Sequence, residues 1–279
     1  MPEIHYSNFS REKLLLVSDG MRRPVVIREA LKESGAVKRW SEKYLDKIVG
    51  HEKVLVNEIL TNENEKHISY KSLSDFFMMK KRGMNVSILD SSSIFVFNNG
   101  TLVDDLASPI DAHMSGPNNE PITSHQLFSA TSDWTRFKAD IGVVIFRQIV
   151  GIKQWELIDT SHNLLMCPVP GVHKGSTVTS CLNCLPRHKR EEWIDRVPRS
   201  RAVLYPGDVL VSGSWWWYGI GNADEDNRAR AHDYSNKEAS MIGVASRIKS
   251  MRGSLLNSPI QTLASILWSD KLFEESSEL

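Results

Sequence analysis

The stretch TRFKADIGVVIFRQIVGIK at residues 135–153, with its echo GDVLVSGSWWWYGI at 207–220, decides how the rest of the 279-residue chain reads. The first stretch has an apolar body of Ile141, Val143, Val144, Ile145, Phe146, Ile149 and Val150, closed by Gly151. β-Branched and aromatic residues of this kind suit a packed sheet. Lys138, Asp140, Arg147 and Lys153 are set into it. The second stretch follows a Pro-Gly turn (Pro206, Gly207), runs through Val209, Leu210 and Val211, and reaches three tryptophans before Tyr218. Both predict buried strands carrying polar groups. Residues two apart on a strand share a face, so Lys138 and Asp140 point the same way and can pair as a salt bridge. By the same parity Trp216 faces opposite to Trp215 and Trp217, and core packing is the ordinary role of so much aromatic area. Arg147 and Arg247, each within an apolar strand, must meet solvent, a carboxylate or an acidic ligand.

The two stretches resemble the paired core strands of the cupin-like Jumonji-C oxygenases, protein and small-molecule hydroxylases that use Fe(II) and 2-oxoglutarate. In that family the first strand reads T-x-x-H-x-D, then an apolar run to Gly, one residue, and Lys; the second reads G-D-V-L-x-x-P-x-x-W-W-H. Thr135, Asp140, Gly151 and Lys153 stand at the family spacing, as do Gly207, Asp208, Val209, Leu210, Trp216 and Trp217. Three positions depart: Lys138 replaces the first His, Tyr218 the second His, and Gly213 the Pro. RPVVIREAL at 23–31, followed by a helix at 37–49 and a strand at 53–58, is similar to the family's N-terminal portion, so the likeness spans roughly residues 20–250.

The resemblance implies a mainly β fold with flanking helices, a double-stranded β-helix or jelly-roll. Residues 1–253 would form this cupin-like domain with its N-terminal elements, and 254–279 a C-terminal helix. That helix either makes a homodimer contact, as in relatives, or packs on its own domain. The resemblance also implies one ligand pocket lined by Thr135, Lys138, Asp140, Lys153, Trp217 and Tyr218, with Thr135 and Lys153 holding the far carboxylate of 2-oxoglutarate or another dicarboxylate.

The metal is where the pattern fails. Non-haem Fe(II) oxygenases hold iron with two imidazoles and a carboxylate. Lysine and tyrosine ligate only after losing protons held to a pKa of about 10, at a cost in affinity near neutral pH. Asp140 is the one dependable ligand left, with Tyr218 as a weaker candidate. Two functions stay open. One is a divergent relative, a pseudo-enzyme without the usual iron site that binds an organic acid or acts by non-standard chemistry. The alternative is an active Fe(II)/2-oxoglutarate-dependent hydroxylase, an oxidoreductase of a small-molecule or peptide substrate, using Asp140, Tyr218 and a third ligand. His113 and His125 fall in a long Asn-, Pro- and Gly-rich stretch at 98–125 that reads as a lid able to bring one of them back to the pocket.

A second constellation is Cys167, Cys181, Cys184 and His188, C-x13-C-x2-C-x3-H, which contains a zinc half-site. The spacing is not a standard finger, and free thiols are the expected state. Three cysteines beside nine methionines fit a reducing compartment, the cytoplasm. Lys plus Arg equal Asp plus Glu at 34 each, so no global field draws the chain to nucleic acid or membrane. No apolar run approaches about 20 residues, so neither secretion nor membrane spanning is expected. Helices are expected over 7–19, 37–49, 72–82, 102–106 and 258–275, and strands over 23–28, 53–58, 94–97 and 241–248.

Overall fold

The apolar run at 135–153 folds as three strands because two glycines turn it. Gly142 (φ 81°) and Gly151 (φ 76°) adopt the left-handed backbone that a side chain resists. The computed structural model describes residues 1–59, 66–97, 100–108, 110–113, 122–129, 137–170, 177–222 and 242–248. Thr135 and the expected helix at 258–275 lie outside these.

The described strands, in chain order, are β1 (Glu3–His5), β2 (Val25–Arg28), β3 (Lys53–Ile59), β4 (Lys66–Ser72), β5 (Val86–Asp90), β6 (Ile122–Phe128), β7 (Lys138–Asp140), β8 (Val143–Val150), β9 (Lys153–Ile158), β10 (Pro168–Pro170), β11 (Thr177–Ser180), β12 (Ser200–Leu204), β13 (Val209–Ser212), β14 (Trp217–Asn222) and β15 (Ile242–Ile248). The helices are α1 (Arg11–Val17), α2 (Gly35–Arg39), α3 (Glu42–Val49), α4 (Leu73–Lys81), α5 (Ser92–Phe97), α6 (Thr101–Leu106), α7 (Asn163–Met166) and α8 (Arg187–Ile194). One sheet runs β1-β2-β13-β8-β15-β6, the second β10-β11-β7-β14-β9-β12, and a small third sheet β4-β3-β5. Successive strands β7, β8 and β9 alternate between the two large sheets, as a jelly-roll requires.

Period-two alternation builds the interior. On β8, Val144 and Phe146 face the second sheet's Trp155, Leu157, Leu204 and Tyr218. Val143, Ile145 and Ile149 face the opposite way, into a core shared with the helices. Behind the second sheet lies a third cluster containing Trp215, Trp217, Met166 and Ile194.

The G-D-V-L motif has a structural use here. Asp208 accepts from Arg28 (2.6 Å) and from the backbone N–H groups of Glu29 and Tyr205 (both 3.0 Å), tying the turn before β13 to the end of β2. The RPVVIRE and GDVL segments are thus two halves of one joint.

Three expectations need correction. The helix at 37–49 is two helices, because Ser41 is extended (φ −149°) and caps α3 by accepting the Tyr44 N–H. Residues 94–97 are helical: Asp90 Oδ1 accepts the Ser92 N–H (3.0 Å), starting a turn where a four-residue apolar run has no visible period. His125 lies on β6 rather than in a loop, paired opposite Ser246.

Candidate functional site

Asp140, Lys138 and Tyr218 meet because β7 pairs with β14 with Tyr218 directly opposite Lys138. Asp140 is 1% exposed. Its Oδ2 accepts from Tyr218 Oη at 2.5 Å and from Arg247 Nη2 at 3.4 Å. Arg247 comes from β15 on the other sheet and also donates to Gln126 Oε1 (2.6 Å), whose amide nitrogen donates to Asp90 Oδ1 (3.2 Å). A polar chain therefore crosses the interior from β7 to β5. Lys138 shares the face of Asp140 as expected, but the salt bridge to the carboxylate is made by Arg247. Lys138 Nζ lies instead over the Tyr218 ring, 5.4 Å from its centroid, a cation–π arrangement.

The charge states follow from burial. Burial and the Asp140 carboxylate both push the Tyr218 phenol well above its ordinary value, so Tyr218 is a donor and not a phenolate. Asp140 raises Arg247, holding the guanidinium charged. Burial pulls Lys138 below the ordinary lysine value, opposed by Asp140.

Aromatic rings fill the space beside this cluster. Phe146 stacks at 4.2 Å on Trp155 and 4.9 Å from Tyr218, and Phe128 packs edge-on to Trp155. Lys153, 2% exposed, shares the strand face of Trp155, two residues along β9. Trp217 does not line this interior: it packs behind the sheet and donates to Asn163 Oδ1 (2.7 Å). The parity expected of the triplet holds: Trp215 and Trp217 share the cluster behind the second sheet while Trp216 packs on the other side, so the correction is to the placement of Trp217 in the pocket. Trp215 adopts a left-handed turn (φ 62°) and gives its N–H to the Asp140 carbonyl (2.9 Å). Gly213 is explained in the same turn. A Cβ there would lie 2.3 Å from the Arg22 carbonyl oxygen, so the family's proline does not fit.

The family profile described as "cupin-like domain", a JmjC-type family, matches residues 19–236. The chain belongs to the cupin-like family. No curated protein matches it. The jelly-roll expected from the two quoted stretches is the fold observed.

The residues of this cupin-like chain do not fit Fe(II). The Asp140 oxygen turned to the interior is taken by a phenol and a guanidinium, and the positions that the resemblance gives to two imidazoles carry Lys138 and Tyr218, whose phenol keeps its proton. Among the described residues no group of three or more His, Cys, Asp or Glu side chains is gathered so as to hold a metal. The cysteine constellation is not assembled either. Cys167 and Cys181 form a disulfide rather than free thiols, which removes two of the thiolates zinc would need; Cys184 is exposed and free, and His188 is exposed on α8. His113 lies in a short 3-10 turn, where its carbonyl accepts from Arg11 (3.0 Å).

His125 belongs to a second polar cluster on the outer face of the first sheet. Its Nδ1 is 2.8 Å from Ser246 Oγ, and Ser246 also bonds the Arg147 guanidinium, which is paired with Asp111 (2.8 Å). Both arginines that the sequence left unplaced have thus found carboxylates. Burial, then the Arg147 charge, lowers His125 to about 4 against its ordinary 6.5. Between these values the unfolded chain holds a proton that the folded chain rejects, so this contribution is complete above about pH 6.5 and is lost as pH falls toward 4. Urea melts at about pH 7 and about pH 5 should differ by about 1 kcal/mol from this source, after discounting for partial exposure. His125→Gln should flatten that difference.

Proposed function

We propose that this is a cupin-like protein that works without iron, a pseudo-enzyme whose jelly-roll interior receives an organic acid at the Lys153 end. The observation that carries the first part is the 2.5 Å Tyr218–Asp140 hydrogen bond with Arg247 on the same oxygen, which commits the remaining ligand carboxylate to protein partners. Two observations support the second part. Lys153 is a cation buried on the inner face of β9, where a dicarboxylate is a suitable counter-charge. Trp155 Nε1, on that same face, is buried with no hydrogen-bond partner among the described residues, and an orphaned donor costs about 1–3 kcal/mol unless an acceptor reaches it. A carboxylate would accept from that indole N–H and carries the charge opposite to lysine's. A small molecule or an acidic peptide terminus has the required chemistry.

Thermal-shift titration with 2-oxoglutarate and other dicarboxylates tests the reading. A ligand that binds the native state must raise its stability, so at least one dicarboxylate is expected to raise Tm at about millimolar concentration, with the shift lost in Lys153→Met. No shift with any dicarboxylate would remove the acid site.

A further inference from the structure

One edge of the second sheet is the hairpin β10–β11, and the disulfide between Cys167 and Cys181 closes it, with Cα atoms 5.5 Å apart. Cys181 opens a 3-10 turn, Cys181–Cys184, whose last residue is the free, exposed thiol Cys184. Residues three apart in a 3-10 turn eclipse, and three rises of about 2.0 Å set their Cα atoms roughly 6 Å apart. That lies within the roughly 4.4–6.8 Å a disulfide spans. Cys181 therefore has two sulfur partners in reach, one across the hairpin and one within its own turn.

Between the two cysteines of the turn stands Asn183, 5% exposed. Its Oδ1 accepts the Phe137 N–H (3.1 Å), and its Nδ2 donates to the Phe137 carbonyl (2.8 Å) and to Thr179 Oγ1 (2.8 Å). Phe137 is the residue before β7, and β11 pairs with β7 in the register Thr179 to Lys138 and Thr177 to Asp140. The turn that holds the cysteines thus also holds the strand that carries Lys138 and Asp140.

We propose that Cys181 is the pivot of an internal thiol–disulfide switch in which Cys184 displaces Cys167, and that β7 senses the exchange through Asn183. The Cys184 thiolate attacks Sγ of Cys181. The Cys181–Cys184 bond forms as the Cys167–Cys181 bond breaks, and Cys167 leaves as a thiolate that takes up the proton Cys184 gave up. The step is an isomerisation and consumes no oxidant. It removes the covalent tie between the two ends of the hairpin, leaving the Cys181 N–H to Cys167 carbonyl (2.9 Å) and Ser180 Oγ to Met166 carbonyl (2.5 Å) hydrogen bonds, and it closes a ring around Asn183, the residue that clamps Phe137. In a reducing compartment a disulfide that forms at all is usually a transient or sensing one, which suits this arrangement.

Trypsin reads the two states directly, because cleavage after Lys174 separates Cys167 from the peptide that contains both Cys181 and Cys184. The full-length protein would be equilibrated in glutathione buffers from oxidised to reduced, acid-quenched, alkylated and mapped by mass spectrometry. The expected result is a population in which Cys167 is alkylated and the 175–187 peptide carries an internal disulfide. In Cys184→Ser that population should vanish while the cross-hairpin link persists, and in Cys167→Ser the internal link should form in oxidised glutathione. Hydrogen exchange at 137–140 should be faster in oxidised Cys167→Ser than in Cys184→Ser. The proposal is overturned if no 175–187 peptide with an internal disulfide appears at any poise, or if oxidised Cys167→Ser forms no Cys181–Cys184 bond. Equal exchange at 137–140 in the two variants would overturn the coupling to β7.

Discussion

Asp140→Ala should lower folding stability by about 3 kcal/mol, because it takes the acceptor from the half-buried Arg247 guanidinium and the buried Tyr218 hydroxyl together. The pattern of couplings distinguishes this network from a simple Lys138–Asp140 pair. Tyr218→Phe removes one hydrogen bond to a charged acceptor and should cost about 1.5–3 kcal/mol. Adding Arg247→Met to Asp140→Asn should recover part of the loss, since the second change removes the charge the first left uncompensated. Lys138→Met should couple to Asp140→Asn more weakly than Arg247→Met does, because the salt bridge to the carboxylate is made by Arg247 while Lys138 lies over the Tyr218 ring and meets Asp140 through its field. Chemical denaturation of the five single and two double variants measures these terms. Strong coupling of Lys138 with Asp140 and none with Arg247 would reverse the assignment.

The second large effect lies among the N-terminal helices. Asp105 on α6, 2% exposed, accepts from Trp40 Nε1 (2.8 Å), Tyr44 Oη (3.0 Å) and the Arg39 guanidinium, so one carboxylate fastens α6 to α2 and α3. Asp105→Ala leaves the indole N–H and the phenol without their acceptor in a packed site and should cost about 3–4 kcal/mol. Arg39→Ala should cost under about 1 kcal/mol, since that side chain is mostly in water. Denaturant midpoints check both; equal costs would mean that the surface charge, and not the buried donors, holds the helices.

The parts of this structure that could be read from residues alone are those governed by neighbours in sequence. Strand parity put Lys138 beside Asp140, and the resemblance of 135–153 and 207–220 to the paired strands of the cupin-like family carried the jelly-roll. Long-range partners could not be read that way. Arg247 is 107 residues from Asp140, and nothing near either residue says that β15 delivers a guanidinium to β7. The requirement that a buried arginine find a carboxylate was legible, but which carboxylate was not. Trp217 was misplaced although its side was legible: next to Tyr218 on one strand, it must face the other side of the sheet. Trp155 carried no motif, and its orphaned N–H becomes visible only once the sheets are packed.

The central claim, that this jelly-roll has exchanged its iron ligands for a protein network, is tested most directly by iron content. The purified chain would be loaded with Fe(II) under anaerobic conditions, freed of excess metal, and assayed for iron per chain in the natural sequence, in Asp140→Asn and in Lys138→His/Tyr218→His. The account predicts iron well below stoichiometric in the first two and a clear rise in the third, where two imidazoles and a carboxylate are restored. About one iron per natural chain, lost in Asp140→Asn, would contradict it.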